Sequence, residues 1–279
     1  MYKKLAIALA FSPRFEALLH EAKRVRDTLD AQLIIIHVGT QDAGKERLLQ
    51  QKLSKIGFQE GQVKIIWKQG EPSKKILSVC RREKVDLLIA GAMKKENIFR
   101  YYIGSVARKI LRKADCSVLM LINPSMNPKP FRKLVINGGE NEFLRSVLKR
   151  GCEFGKIEHA AQVHVLREVR MYGLAMALAS EEGNEDEYAE TRRRLVDDEI
   201  LKVKNLLKHI DTSSLNINVK VFAGKPEHEI AKFSKRIGAD LLILGAPDHK
   251  LSLIDRIFPH DMECLLADLP SNLLVVHQK

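Results

Sequence analysis

The sequence predicts an α/β protein of two tandem doubly wound domains, each holding a five-stranded parallel sheet. Three observations carry this. First, Gly70 to Ala92 realigns without gaps on Gly224 to Ala246, and ten of 23 positions are identical at a constant shift of 154. Near the start the match returns at a smaller shift. Ala31-Gln32-Leu33 lines up with Ala161-Gln162-Val163 at 130, so the second copy carries a 24-residue insertion after its second strand. Second, apolar runs of strand length alternate with helical apolar spacing, the pattern of a parallel sheet covered on both faces. Third, Asn123 to Pro130 holds three prolines and opposes helix and strand alike. The expected domains are therefore 1–123 and 131–279, joined by a linker over 124–130.

In the first copy, Leu5 to Leu9 is a short apolar run and reads as a buried strand. Pro13 then opens a helix in which Phe15, Leu18, Leu19, Ala22, Val25 and Leu29 keep helical spacing, with Ser12 placed to cap it. Leu33 to Val38 is strand two and Val63 to Trp67 strand three. Glu71 to Lys84 is a helix with Pro72 in its first turn. Leu87 to Ala90 is strand four, a helix runs from about Gly104 to Lys113, and Val118 to Ile122 is strand five. The second copy repeats the order with Leu134 to Ile136, Gln162 to Leu166, Ile217 to Phe222, Leu241 to Leu244 and Leu273 to Val276. Its insertion opens on an apolar patch over 171–179, then an acidic run. A long helix follows to about Ile210, with Val196, Ile200, Val203, Leu207 and Ile210 on one stripe that should pack on the sheet. The patch reads equally as lid, dimer contact or core. Each copy ends in an apolar strand whose open edge would be sticky. Pairing the two edges antiparallel makes the copies an intramolecular pseudo-dimer.

Composition excludes several classes. With 45% hydrophobic and 29% charged residues the chain is an ordinary globular protein rather than a disordered one. The longest uncharged apolar stretch, Cys116 to Pro128, is too short and too broken to span a bilayer. The opening MYKKLAIALAFS reads as a first strand, not a secretory signal. Cys80, Cys116, Cys152 and Cys264 lie far apart with no CxxC, as reduced core thiols of a cytoplasmic protein would. The net charge of +12 falls entirely within residues 1–123; the rest is neutral. Such a surface favours anions, although lysines also simply keep a face soluble. The basic helix faces (Arg81, Arg82, Lys84; Arg108, Lys109, Arg112, Lys113) lack interleaved aromatics, which argues against nucleic acid.

The MYKK opening, His37-Val38 at a strand end, and the Asp-Leu-Leu-Ile-Ala-Gly91 run with the spacing after it resemble the universal stress protein family in its tandem two-domain form. The resemblance implies a Rossmann-like strand order of 3-2-1-4-5 and a nucleotide motif G-x2-G-x9-G-[ST]. Gly91 and Gly104-Ser105 stand at matching places, whereas Lys94 replaces the second glycine. The family also puts an aspartate at the end of strand one, where this chain has Ala10.

The physics of the motif stands by itself. Open parallel sheets bind ligands beyond the carboxyl ends of their strands, where strand order reverses. Gly91 would let a ligand approach strand four without a Cβ in the way. Gly104 and Ser105 would start a helix whose free N–H groups and dipole favour phosphate. Lys94, Lys95 and Arg100 on the intervening loop would add charge-assisted contacts, or Lys94 would fill the site. The expected ligand is ATP, ADP, AMP or another small anion, held by Gly91, Lys94, Gly104 and Ser105. The alternative is a pocket kept as architecture only.

In the second copy Gly245 persists. Asp248 stands at the second glycine, Phe258-Pro259 replaces Gly-Ser, and Asp255 adds charge that repels phosphate. This copy should not bind nucleotide. His249, His260, Asp248 and Asp261 are too loosely spaced for a metal, and none is expected. There is no HExxH, GxSxG, P-loop lysine or dinucleotide fingerprint. His37 reads as structural and Trp67 as a core or interface residue. The leading reading is a cytoplasmic stress-response binding or regulatory protein with one ligand site. The runner-up is a ligand-free scaffold or regulator of a protein partner. A nucleotide hydrolase or transferase ranks last, since no base, nucleophile or metal cluster is visible. A homodimer is compatible with all three.

Overall fold

The computed structural model describes residues 1–94, 101–139, 143–169, 185–246 and 265–277. The first copy runs β1 (Lys4–Ala8), α1 (Phe15–Leu29), β2 (Gln32–Val38), α2 (Ala43–Lys55), β3 (Val63–Lys68), α3 (Pro72–Arg82), β4 (Leu87–Gly91), β5 (Met93–Lys94), β6 (Tyr101–Tyr102), α4 (Ser105–Lys113) and β7 (Ser117–Leu121). The second runs β8 (Lys133–Asn137), α5 (Leu144–Ile157), β9 (Gln162–Glu168), α6 (Glu185–Leu207), β10 (Ile217–Phe222), α7 (Pro226–Ile237), β11 (Leu241–Gly245) and β12 (Asn272–Val276).

Ten strands form one sheet in the order β10-β9-β8-β11-β12-β7-β4-β1-β2-β3. Counting the long strands of each copy separately, both halves read 3-2-1-4-5. Every neighbouring pair is parallel except β7 with β12, which run antiparallel with Leu119 opposite Leu274. The expected pseudo-dimer is therefore one continuous sheet. At its seam Val118, Leu119, Met120, Leu273, Leu274 and Val275 are all fully buried.

Side chains alternate across a strand, so the sheet has two cores. Leu5, Ile7, Leu87, Ile89, Leu134 and Ile136 face one, under α1, α2, α5 and α6. Ala6, Leu88, Val118, Val135, Leu242 and Val275 face the other, under α3, α4 and α7. The α6 stripe does pack there: Val203 is fully buried, and Leu207 and Ile210 lie against the first core.

The conserved spacing within the repeat has a backbone cause. Gly70 and Gly224 both take positive φ, 114° and 128°, a region open to glycine and strained for other residues. The following residue is an extended N-cap, and proline then sits in the first helical turn, where no N–H is needed.

One local expectation is corrected, and one helix is new. Ser12 does not cap α1 through its side chain: the helix begins at Phe15 with Arg14 at the N-cap, and Ser12 contributes only its carbonyl, to Phe15 N at 3.0 Å. A turn intervenes because Ser12 N is already drawn to Ala10 O at 2.8 Å. The helix α2 was not foreseen. Its apolar stripe is thin (Leu49 and Leu53 are its buried residues), and its signal is Asp42, whose Oδ1 accepts from Lys45 N at 2.8 Å. The 171–179 patch lies outside the described residues.

Candidate functional site

The carboxyl ends of β1 and β4 mark the point where strand order reverses in the first copy, since β2 lies on one side and β7 on the other. β4 ends at Gly91, which is exposed. A Cβ there would stand 3.7 Å from Leu18, an ordinary contact, so internal packing does not demand glycine. Ala92 N continues the ladder to Leu121 O at 2.8 Å. The chain then turns into the hairpin β5–β6, where Lys94 pairs with Tyr101. The side chain of Lys94, and Lys95 and Arg100 as whole residues, lie outside the described part. Gly104 takes an extended N-cap conformation at the start of α4, and among the described residues no side chain caps that end. Ser105 and Val106 are exposed there. Gly91, the Lys94 backbone, Gly104 and Ser105 thus follow one another through strand end, hairpin and helix start; the sequence predicts a loop where the hairpin stands.

The β1 side of the reversal point holds groups that sequence reasoning missed. Arg14 donates from Nη1 to Ile122 O at 3.0 Å and from Nη2 to Ala92 O at 3.2 Å. A guanidinium is thus pinned to the carbonyls just past β4 and β7, next to Gly91. Its sequence signal was weak: one arginine between a strand and an apolar helix. Ala10 is exposed at the end of β1 and offers no carboxylate. Phe11, His37 and Trp67 cluster over the ends of β1, β2 and β3. The Phe11 and Trp67 rings lie 6.1 Å apart and nearly parallel, and His37 meets each edge-on at 4.9 Å. His37 is buried, and its Nδ1 lies 2.9 Å from Leu9 O, which orients the ring.

The second copy solves the same position differently. Arg167 stands where His37 does, at the shift of 130, and donates from Nη1 to Gly138 O at 2.7 Å. Its Nε donates to Glu199 Oε2 of α6 at 2.5 Å. Burial raises the Glu199 carboxyl, but hydrogen bonds from Lys202 and Arg167 outweigh it and hold the group below the usual range. Helix α6, which follows the insertion, thereby places an ion pair at the cleft edge of β8 and β9. Gly245 ends β11, and Ala246 N bonds Val276 O at 2.8 Å, as Ala92 does in the first copy. Asp248, His249, Asp255, Phe258, Pro259, His260 and Asp261 lie outside the described residues.

Among the described residues no three His, Cys, Asp or Glu side chains stand together as metal ligands. Among them also, no helix is long and apolar enough to cross a membrane.

Residues 1–121 match the universal stress protein family. A universal stress protein of Methanocaldococcus jannaschii is 28% identical over 144 residues, which span 44% of this chain and 84% of that protein. Two solved structures share the whole fold. A putative universal stress protein of Pseudomonas aeruginosa superposes with a TM-score of 0.71 at 17% identity, covering 99% of this chain and 93% of that one. A universal stress protein of Archaeoglobus fulgidus does so with 0.69 at 15% identity, covering 99% and 98%. The first copy thus matches the universal stress protein family over residues 1–121, and the five-strand unit it forms is present twice in one sheet.

Proposed function

We propose that this protein is a cytoplasmic stress-response binding protein that takes one adenine nucleotide (ATP, ADP or AMP) or a similar anion per chain. The site is in the first copy (1–123), at Gly91, Lys94, Gly104 and Ser105. The linker (124–130) and second copy (131–279) contribute none. One observation carries the reading. The exposed glycine end of β4 leads through a two-strand hairpin to an uncapped helix start at the reversal point of the sheet. The free N–H groups of α4 favour a phosphate there. The +12 charge confined to this copy supports it.

A second reading is favoured by a different observation. Phe11, His37 and Trp67 pack on one another beside the reversal point, and two nitrogens of Arg14 are already bonded to carbonyls. A site so furnished with its own side chains suits a ligand-free scaffold that serves a protein partner.

Thermal unfolding with and without ATP, ADP and AMP separates the two, because a ligand that binds only the native state stabilises it, by about 2.7 kcal/mol at a hundredfold excess over Kd. We expect saturable binding in the micromolar-to-millimolar range and a calorimetric stoichiometry of one per chain. Lys94→Ala should weaken it if the ammonium meets phosphate; Lys94→Gly should strengthen it if the side chain fills the site. No shift with any nucleotide, in the wild type or either variant, would leave the scaffold. Two equivalents per chain would show that the second copy binds too.

A further inference from the structure

We propose that Cys80 and Cys116 are a peroxide-sensitive dithiol, a modification site that closes to a disulfide stapling α3 to β7. It lies at the amino edge of the sheet, away from the reversal point. Cys80 sits in the last turns of α3 and Cys116 immediately precedes β7, whose first residue Ser117 pairs with Leu87 of β4. Both thiols are buried, belong to the same core and line one cavity of about 280 Å³. Cys116 is also the chief influence on the Cys80 thiol, which it pushes up, as a neighbouring sulfur across that cavity does. Proximity is what a disulfide chiefly requires, since its two Cβ atoms must come to about 4 Å. The backbone around Cys80 is tied: its carbonyl accepts from Val85 N at 2.9 Å, across a turn in which Lys84 takes positive φ.

The cavity supplies access. Leu77 and Cys80 form part of its wall, while Arg81, Lys84 and Asp115 are exposed at its rim. Arg81 Nε donates to Asp115 Oδ2 at 2.6 Å. A water molecule occupies about 30 Å³ of liquid, so a hydroperoxide of little more than that size fits. The cations at the rim favour a thiolate. Opposing them, the neighbouring Cys116 and burial push the Cys80 thiol up, so the reaction is slow. In the first step one sulfur attacks a peroxide oxygen, the O–O bond breaks, hydroxide leaves and a sulfenic acid forms. The neighbouring thiol then attacks that sulfur, the S–S bond forms and water leaves. Two thiols and one hydrogen peroxide give one disulfide and two waters; the sulfurs lose two electrons and the peroxide gains them.

The test uses the reduced full chain, treated with excess hydrogen peroxide, alkylated under denaturing conditions and digested with trypsin. We expect peptide Ile76–Arg81 joined to peptide Ala114–Arg132, with the loss of two hydrogens. Alkylatable thiols should fall from the four in the chain to two and return on reduction. Cys80→Ser and Cys116→Ser should each abolish the joined peptide, and Cys152→Ser should retain it. If a serine variant fails to fold, the wild-type peptide map decides alone. The proposal is overturned if no thiol is lost, if these cysteines go only to sulfinic or sulfonic acid, or if Cys152 and Cys264 enter cross-links in equal yield.

Discussion

Replacing Arg24 by Met should unfasten the two copies on the α1 face. Arg24 lies on α1, and its Nη1 donates to both carboxylate oxygens of Glu158, at 2.9 and 2.8 Å. Glu158 follows α5 in the second copy, and its side chain is only 1% exposed. The same carboxylate accepts from Phe131 N at 2.9 Å, just past the linker, and the guanidinium lies 4.7 Å over the Phe131 ring. Glu21 completes the cluster, its Oε2 3.6 Å from Arg24 Nε, and burial pushes its carboxyl above the usual range despite Arg24. Removing the cation leaves two carboxylates facing each other out of water. Breaking one partner of a buried pair costs about 3–5 kcal/mol, which for a chain of this size lowers Tm by on the order of 10 °C.

Adding Glu158→Gln should recover at least half of that loss. Its amide oxygen still accepts from Phe131 N, and it carries no charge. The sign with pH follows from Glu21: its raised native pKa means protonation is favoured in the fold, and losing Arg24 raises it further. The penalty of Arg24→Met should therefore be smaller at pH 5 than at pH 8. Urea unfolding of the wild type and the two variants at both pH values measures this. A cost below about 1 kcal/mol, or no recovery in the double variant, would show that the pair is not what joins the copies here.

Two further outcomes are expected. The Glu71 carboxyl is held at about 2, chiefly by the Ser73 hydroxyl and then Lys109. Its native pKa is depressed, so its contribution is present above the ordinary carboxylate range and lost as pH falls toward 2. Glu71→Gln should flatten that acid-side loss in unfolding midpoints, and an unchanged slope would refute it. A Cβ on Gly138 would meet Leu166 O and Val165 Cγ1, both at 2.9 Å. Gly138→Ala should therefore cost about 1–3 kcal/mol, whereas Gly91→Ala should stay within about 0.5 kcal/mol. Equal denaturation midpoints for the two variants would contradict the packing argument.

Much of the candidate site was legible because its parts are local. Gly91 ends an apolar run and Gly104-Ser105 opens a helical one, so their placement needs only neighbouring residues. Arg14, Phe11 and Trp67 were not read as site neighbours, for the opposite reason. Arg14 gains meaning only from carbonyls 78 and 108 residues away, and Phe11 from rings on β2 and β3.

The sequence by itself determined the repeat, the alternation of strand and helix, and the antiparallel meeting of the two last strands. Each follows from short-range patterns: a period of two or of 3.6, a Gly-x-Pro opening that requires positive φ, and an apolar edge that water disfavours. Only the tertiary structure decided what fills the cleft edges. At the same position the first copy puts His37 on Leu9 O and the second puts Arg167 on Gly138 O. Arg167 stays buried because α6, the longer counterpart of α2, delivers Glu199 to it. A charge becomes tolerable in a core only when a counter-charge arrives there, and which distant residue arrives is fixed by packing, not by local sequence.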